Sequence, residues 1–182
     1  MRLMQTIKNK IRGITPIEEL IECGMAVGEN FWCGNGCKFD WSFPWLIKIG
    51  DNVTLSHDVD IITHDASLHR RLNVTKLAKV EIGNNVFVGA RVTILPGVKL
   101  GDNSIIGAGS LVCKDVPADE VWAGVPAQKI CTVQDYVRRT ENDIIEEIID
   151  ASKTIHNSDA EYLPLRQQLI EMIDKNGKVY IK

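Results

Sequence analysis

Four histidines are the side chains of this 182-residue sequence best suited to remove a proton from a hydroxyl group near pH 7. An imidazole in a model peptide has a pKa of about 6.5, so it is mostly neutral at that pH and can act as a general base. One of the four, His64, is followed directly by a 15-residue insertion, residues 65–79, that interrupts a repeating pattern. A side chain beside such an excursion can face a cleft, and this placement favours His64 as the base.

The other histidines and one acidic residue have different expected uses. His57 lies in the middle of a repeat and is expected to be structural, whereas His156 lies in a helical linker and is expected to be solvated. His69 lies within the insertion, where it can touch a bound substrate. Asp65 follows the candidate base directly, and three uses stay open for it: orienting the imidazole, orienting the substrate, or starting the loop.

The repeat that carries His64 determines the architecture. Three 18-residue blocks align without gaps: IKIGDNVTLSHDVDIITH (47–64), VEIGNNVFVGARVTILPG (80–97) and VKLGDNSIIGAGSLVCKD (98–115). Each block contains three six-residue units with one aliphatic position in common, occupied by Ile49, Leu55, Ile61, Ile82, Val88, Ile94, Leu100, Ile106 and Val112. Four residues further on, Val or Ser recurs at Val53, Val59, Val86, Val92, Val98, Ser104, Ser110 and Val116.

A six-residue period with two inward positions indicates short strands joined by tight turns, with three strands in each coil. Neither the 3.6-residue period of a helix nor the alternation of a hairpin sheet reproduces this pattern. The sequence therefore predicts an all-β core, a parallel β-helix whose coils stack their aliphatic residues on one another. A weaker repeat in residues 31–42, FWCGNG followed by CKFDWS, is expected to supply the first coil.

Helices are predicted on both sides of the β-helix. Thr15-Pro16-Ile17-Glu18 has a capping threonine, a proline at the first helical position and a glutamate at the third. Apolar residues at helical spacing predict one helix from about 133 to 153, and a second follows a cap at 158–161 and ends near Gly177. The expected domain organisation is an N-terminal helical segment (1–30), the β-helix with its inserted loop (31–130) and a C-terminal helical extension (131–182).

Composition excludes several classes of function. The formal net charge is −3 and the isoelectric point about 5.8, so general attraction to nucleic acid or to an anionic membrane is not expected. No apolar run reaches the length of a membrane span, and no signal-peptide core precedes the repeats. The five cysteines are odd in number and lack CxxC spacing, which predicts reduced, mostly buried thiols in a cytoplasmic protein and no metal site.

The repeats together with WAGVPAQKI (122–130) resemble the hexapeptide-repeat acyltransferases, and WLIKIGDNVT with ITHDAS is similar to their O-acetyltransferases of sugars and surface polysaccharides. This resemblance implies a left-handed β-helix, a homotrimer, and acetyl-CoA as co-substrate bound between adjacent subunits, with no metal. It also implies direct acetyl transfer to a hydroxyl of a sugar or polysaccharide precursor, with His64 as the catalytic base.

The resemblance also assigns candidate binding residues. For the acceptor these are Asp40, Asp65 and His69. For acetyl-CoA they are the backbone at Ala90 and Ala108, which matches positions that hold the pantetheine arm, and the side chains of Phe87, Cys113, Lys114 and Lys129. Two residues depart from the family pattern: Cys113 replaces a threonine, and Gln128 replaces a basic residue. Cys113 is expected to occupy a packed position in the coil, which disfavours a covalent acyl-enzyme.

Two stretches have an unusual composition. Six of the eleven aromatic residues fall within residues 31–45, where their rings can stack on a sugar or, as the favoured use, cover the open apolar end of the first coil. The insertion carries four basic residues, Arg70, Arg71, Lys76 and Lys79, which can attract an anionic substrate or remain solvated.

Three alternative functions stay open beside O-acetylation. The same chemistry can acetylate the nitrogen of an amino sugar. A zinc-dependent hydratase of the γ-carbonic anhydrase type uses the same solenoid, but it needs three histidine ligands, and only His64 and His69 have an eligible spacing. The third alternative is a non-catalytic trimeric scaffold.

Overall fold

The computed structural model of the chain describes residues 16–143 and 163–176. Sixteen short strands alternate with turns within the first of these ranges. They are β1 (Ala26–Val27), β2 (Trp32–Cys33), β3 (Lys38–Phe39), β4 (Ile47–Ile49), β5 (Thr54–Leu55), β6 (Asp60–Ile61), β7 (His64–Asp65), β8 (Lys76–Leu77), β9 (Val80–Ile82), β10 (Phe87–Val88), β11 (Thr93–Ile94), β12 (Lys99–Leu100), β13 (Ile105–Ile106), β14 (Leu111–Val112), β15 (Glu120–Gly124) and β16 (Ala127–Thr132).

Fourteen of these strands, all but β7 and β8, form three faces of a coil, and from β1 to β14 the chain visits these faces in turn. The first face is ordered β1-β4-β9-β12, the second β2-β5-β10-β13-β15-β16, and the third β3-β6-β11-β14. Neighbouring strands within each face pair in parallel, apart from the antiparallel hairpin β15–β16 that ends the second face. A chain that visits three faces in turn and returns to the first is a parallel β-helix, which confirms the prediction.

The interior of the coil is filled by the two recurring positions of the repeat. All nine aliphatic residues are at most 2% exposed, and the eight Val and Ser positions are equally buried. Each residue stacks on its counterpart one coil away, as Leu55, Val88 and Ile106 do on the second face. Apart from β15 and β16, the strands are only two or three residues long, so this stacked column supplies most of the apolar burial that holds them in register.

One corner of the coil is built from side-chain amides. Asn52, Asn85, Asn103 and Asp119 have φ between 55° and 59°, a left-handed conformation that Asn and Asp tolerate better than most residues. Each amide donates to the residue one coil away, with Nδ2–Oδ1 distances of 3.1, 3.1 and 2.9 Å. The recurring Gly-Asp/Asn-Asn of the sequence therefore forms the turn at this corner. Its asparagine side chains also hydrogen-bond from one coil to the next.

The coil begins earlier than predicted. β1 starts at Ala26 and pairs with β4, whereas the expected boundary was residue 31. Val27-Gly28 is the same aliphatic–glycine pair as in the later repeats, but it stands alone within its sequence block. The six clustered aromatic residues do not all cover the end of the coil. Phe31 and Phe39 pack edge to face, 6.5 Å apart, against the core at this end, whereas Trp32, Trp41 and Trp45 are more than half exposed.

Helices flank the coil as predicted, with one shift at the N-terminus. α1 (Ile17–Glu22) has Pro16 as its N-cap rather than as its first helical residue. α2 (His69–Leu72) lies in the insertion, α3 (Val133–Asp143) follows β16, and α4 (Leu163–Asn176) ends one residue before Gly177. The predicted threonine cap at 15, the remainder of the 133–153 helix and the cap at 158–161 lie outside the described residues. Within residues 16–143 and 163–176, no helix has the length and apolarity needed to cross a membrane.

All five cysteines are free, but the expectation that most are buried is wrong. Cys37 and Cys131 are buried, Cys33 is half-buried, and Cys23 and Cys113 are exposed. Cys113 follows the inward residue Val112, so the alternation of the strand turns its side chain to the outside.

Candidate active site

His64 lies where the insertion leaves the coil. It is the first residue of β7, which pairs antiparallel with β8 so that His64 faces Leu77 and Asp65 faces Lys76. The Ala78 N–H also donates to the Thr63 carbonyl at 2.9 Å, which closes the base of the insertion. These backbone bonds hold the imidazole at a fixed corner, and about 36% of its side chain is exposed.

A buried carboxylate stands behind the imidazole. Asp40, one residue after β3, has a side chain only 3% exposed, and its Oδ2 lies 2.5 Å from Nδ1 of His64. The same oxygen accepts hydrogen bonds from the backbone N–H of Thr63 at 3.0 Å and from the Thr63 hydroxyl at 2.7 Å. The second oxygen accepts the Ser42 N–H at 3.2 Å. Both oxygens of the Asp40 carboxylate therefore accept hydrogen bonds from neighbouring residues.

The balance of forces on Asp40 keeps it ionised near neutral pH. Burial by itself raises its pKa, but the hydrogen bonds from His64 and Thr63 outweigh burial, and the pKa lies below its usual value. An ionised carboxylate at Nδ1 can only accept, so Nδ1 of His64 carries the hydrogen and donates it. The lone pair of Nε2 is then available to a bound hydroxyl, which is the geometry of an oriented general base.

The other candidate acceptor residues lie apart from this pair. The Asp65 carboxylate is exposed and accepts the Ser67 N–H at 2.8 Å, so of the three uses left open it has the geometry of a loop start. Hydrogen bonds from Ser67 also lower the pKa of Asp65. His69 is the first residue of α2 and is exposed. An acceptor contact by Asp40, Asp65 or His69 stays a prediction.

Sequence reasoning missed the role of Thr63 and the orienting role of Asp40. Thr63 is fully buried and supplies two of the hydrogen bonds to the carboxylate. A threonine before a histidine is no signal on its own, and Asp40 is 24 residues away from His64 in sequence. The pairing of β3 with β6 brings the two segments side by side.

Two of the candidate donor residues share a groove. Ala90 and Ala108 lie on successive coils and line an open groove of about 460 Å³ together with His57, Asp58, Arg91 and Gly109. The Ala90 carbonyl accepts the Gly109 N–H at 2.7 Å, which leaves one lone pair of that oxygen for a ligand. A Cβ at Gly89 would lie 2.5 Å from the Ala108 nitrogen, so the groove depends on glycine at that position.

Of the remaining donor candidates, Phe87 and Lys129 lie on the second face and its hairpin, whereas Cys113 and Lys114 follow β14 of the third face. Phe87 is 45% exposed on β10. Lys114 lies 5.1 Å from the ring centre of Trp122 and donates to Oε1 of Gln128 at 3.1 Å. Gln128, which departs from the family pattern, is therefore the hydrogen-bond partner of Lys114. Lys129 donates to Glu120, whose other oxygen accepts the Trp122 indole N–H. The Lys114 ammonium thus lies over the Trp122 ring, and Lys129 contacts the carboxylate that accepts the Trp122 indole N–H.

A metal site is not formed by the described part of the chain. Within residues 16–143 and 163–176, no group of three or more His, Cys, Asp or Glu side chains lies close enough to hold a metal ion. The zinc hydratase needs three such ligands.

Comparison with known proteins identifies relatives over most of the coil. The family model described as bacterial transferase hexapeptide (six repeats) matches residues 79–114. The galactoside O-acetyltransferase of Escherichia coli (strain K12) is 42% identical over 114 residues, 60% of this chain and 54% of that protein. The chain thus spans about half the length of that relative. Protein CapG of Staphylococcus aureus is 37% identical over 141 residues, which cover 71% of this chain and 80% of CapG.

A solved structure agrees with these matches. A galactoside acetyltransferase in complex with coenzyme A superposes with a TM-score of 0.54 at 33% identity, covering 65% of this chain and 70% of that one. The predicted fold class, a left-handed parallel β-helix of hexapeptide repeats with terminal helices, is confirmed.

Proposed function

This chain belongs to the hexapeptide-repeat acetyltransferase family, and we propose that it transfers an acetyl group from acetyl-CoA to a hydroxyl of a sugar or of a surface-polysaccharide precursor. The observation that carries this proposal is the Asp40–His64 pair at the corner where the insertion leaves the coil. The relatives named for galactoside acetylation supply the class of acceptor.

The reaction proceeds in one ternary complex. Nε2 of His64 removes the proton of the acceptor hydroxyl while the oxygen of that hydroxyl attacks the thioester carbonyl of acetyl-CoA. The tetrahedral intermediate then collapses, the carbon–sulfur bond breaks, and the proton on His64 passes to the departing CoA sulfur. Asp40 stays ionised throughout and stabilises the imidazolium that forms between these steps.

The donor is held in the groove of Ala90 and Ala108. These residues lie on successive coils, so an arm bound by both runs along the axis of the β-helix rather than along a strand. The groove is at the corner before β6 and His64 at the corner after it. Six residues, Asp58 to His64, span at most about 20 Å when extended. The groove and the imidazole of one chain thus lie at different corners of the coil, separated by up to that distance.

A neighbouring subunit resolves this separation. We infer a homotrimer in which the groove of one subunit faces His64 of the next, as the family resemblance implies. Lys114 and Lys129 supply positive charge for the CoA phosphates at the end of the groove. For this, Lys129 leaves its ion pair with Glu120 and binds a phosphate instead. Light scattering tests this arrangement: a mass of about three chains is expected at micromolar concentration, and a monomer contradicts it.

The activity itself is tested by CoA release from acetyl-CoA in the presence of single sugars, glycosides and nucleotide sugars. Release that depends on the sugar and yields an O-acetyl ester supports the proposal. An amide product from amino sugars alone would replace it with N-acetylation. His156→Ala is the matched control for His64→Ala: the sequence predicts that His156, which lies outside the described residues, is a solvated histidine, so this variant should retain full activity.

A further inference from the structure

A short loop rich in aromatic residues is attached to Asp40, the carboxylate that orients His64. We call residues 40–46 the aromatic loop; it contains Trp41, Phe43 and Trp45. One oxygen of Asp40 accepts the Ser42 N–H at 3.2 Å, while the other is bound to His64. Within the loop the Leu46 N–H donates to the Phe43 carbonyl at 3.0 Å, in a 3-10 turn over 44–46. The carboxylate that orients the base therefore also fixes the start of this loop.

The rings of the loop form a continuous line from the base to solvent. The Phe43 ring lies 5.4 Å from the imidazole of His64, edge to face. The Trp45 ring lies 5.7 Å from the Phe43 ring, again edge to face. Phe43 is half-buried, and Trp45 is 57% exposed. The exposed indole is thus two ring contacts away from the imidazole.

The core does not account for the exposure of Trp45. Phe31 and Phe39 already pack against the end of the coil, and Trp45 is not part of that cluster. Its Cβ is nevertheless tightly seated, since a Cβ added at Gly24 would approach it to 3.0 Å. The Trp45 side chain is thus closely packed at its Cβ while the residue is more than half exposed, an arrangement suited to contact with a ligand.

We propose that Phe43 and Trp45 form the wall of the acceptor subsite, on which a pyranose ring stacks with one of its hydroxyl groups directed to Nε2 of His64. This inference rests on the proposed function. The carbon-bound hydrogens on one face of a pyranose are apolar and slightly positive, and they match the negative face of an indole or phenyl ring. An open-chain polyol offers the same hydroxyls without such a face, so the subsite selects the ring form.

Binding is measured without turnover, by saturation-transfer NMR titration of a methyl pyranoside against the matching open-chain alditol. The wild type is expected to bind the pyranoside and not the alditol. Trp45→Ala should weaken pyranoside binding about 3- to 10-fold, and Trp45→Phe should recover part of the loss. Trp32→Ala is the matched control, because Trp32 is 53% exposed but its ring contacts His57 instead of the aromatic loop. It should leave pyranoside binding unchanged.

Two results would overturn the subsite. One is unchanged pyranoside affinity in Trp45→Ala; the other is a smaller oligomer of that variant in light scattering, which would make Trp45 a subunit contact. Failure of the proposed function has a different signature. If pyranoside binding depends on Trp45 but no sugar-dependent CoA release occurs, the acetyl transfer is refuted and the subsite is retained. If acetyl transfer occurs but the acceptor KM is unchanged in Trp45→Ala, the subsite is refuted and the acetyl transfer is retained.

Discussion

The two corners on either side of β6 differ although they belong to one coil. At the first, His57 lies among small residues of successive coils, and its ring meets Trp32 edge to face at 6.3 Å. At the second, seven residues later, His64 is bound to a buried carboxylate. The first corner repeats from coil to coil and forms a smooth groove. The second is interrupted by the insertion and by the aromatic loop, and it holds the proposed base.

This contrast shows that two histidines of one coil acquire different environments from their neighbours and not from their place in the repeat. Both side chains project from the same coil, but an ionised carboxylate fixes the tautomer of only the second. A regular solenoid presents the same environment at every coil, so a distinct environment requires a segment that departs from the repeat. The predictions below test that difference.

The largest expected effect separates the two histidines directly. His64→Ala should reduce kcat by about 10²–10⁴-fold, because general-base help is lost, while acetyl-CoA affinity changes little. His57→Ala should instead act mainly on the KM for acetyl-CoA, because His57 lines the proposed donor groove. Steady-state kinetics with each substrate varied in turn make the measurement. Near-normal kcat in an intact His64→Ala oligomer would contradict the mechanism.

Removing the charge behind the base should have a smaller effect. Asp40→Asn keeps the size of the side chain but no longer stabilises the imidazolium, and kcat should fall about 10- to 100-fold. The KM for acetyl-CoA should stay the same, because Asp40 lies at the other corner. The same kinetic assays test this, and a loss confined to KM would identify Asp40 as an acceptor ligand, the role first predicted for it.

The carboxylate should also make stability depend on pH. The pKa of Asp40 is lower in the folded protein than in the unfolded chain, so its stabilising contribution is present above the unfolded value of about 3.9. That contribution is lost as the pH falls through the lower folded value. Asp40→Asn should therefore be about 1–3 kcal/mol less stable than the wild type at pH 7, and the gap should close toward pH 3. Denaturant unfolding at the two pH values measures it; a constant gap would contradict the assignment.

The insertion should give the smallest effect of the four. Shortening only its tip, residues 68–74, leaves the β7–β8 pair and the Ala78–Thr63 bond in place. If the tip helps to hold the acceptor, the acceptor KM should rise about 3- to 10-fold while the KM for acetyl-CoA is unchanged. Equal increases in both KM values, or a change in oligomer mass, would instead mark the tip as a subunit contact.

Most of the coil could be predicted because its physical cause is local and periodic. Leu55, Val88 and Ile106 occupy equivalent positions, and a period of six leaves few other ways to bury them together. The start of the coil was misplaced, because Val27-Gly28 is a single unit with no neighbouring repeat to support it. Cys113 was misplaced because the alternation of a two-residue strand, rather than its composition, decides which side chain points outward.

The sequence by itself determined the repeat, the faces it buries and the position of the insertion, and it singled out His64 as the candidate base, since each of these is written in the order of residues along one segment. Only the tertiary structure decided what surrounds that histidine. Asp40 reaches His64 because β3 lies beside β6, and Lys129 reaches Glu120 because β16 folds back on β15. These contacts join residues from different coils or strands. They depend on the register of stacked strands, which is set by the packing of the whole column and not by the residues that finally touch.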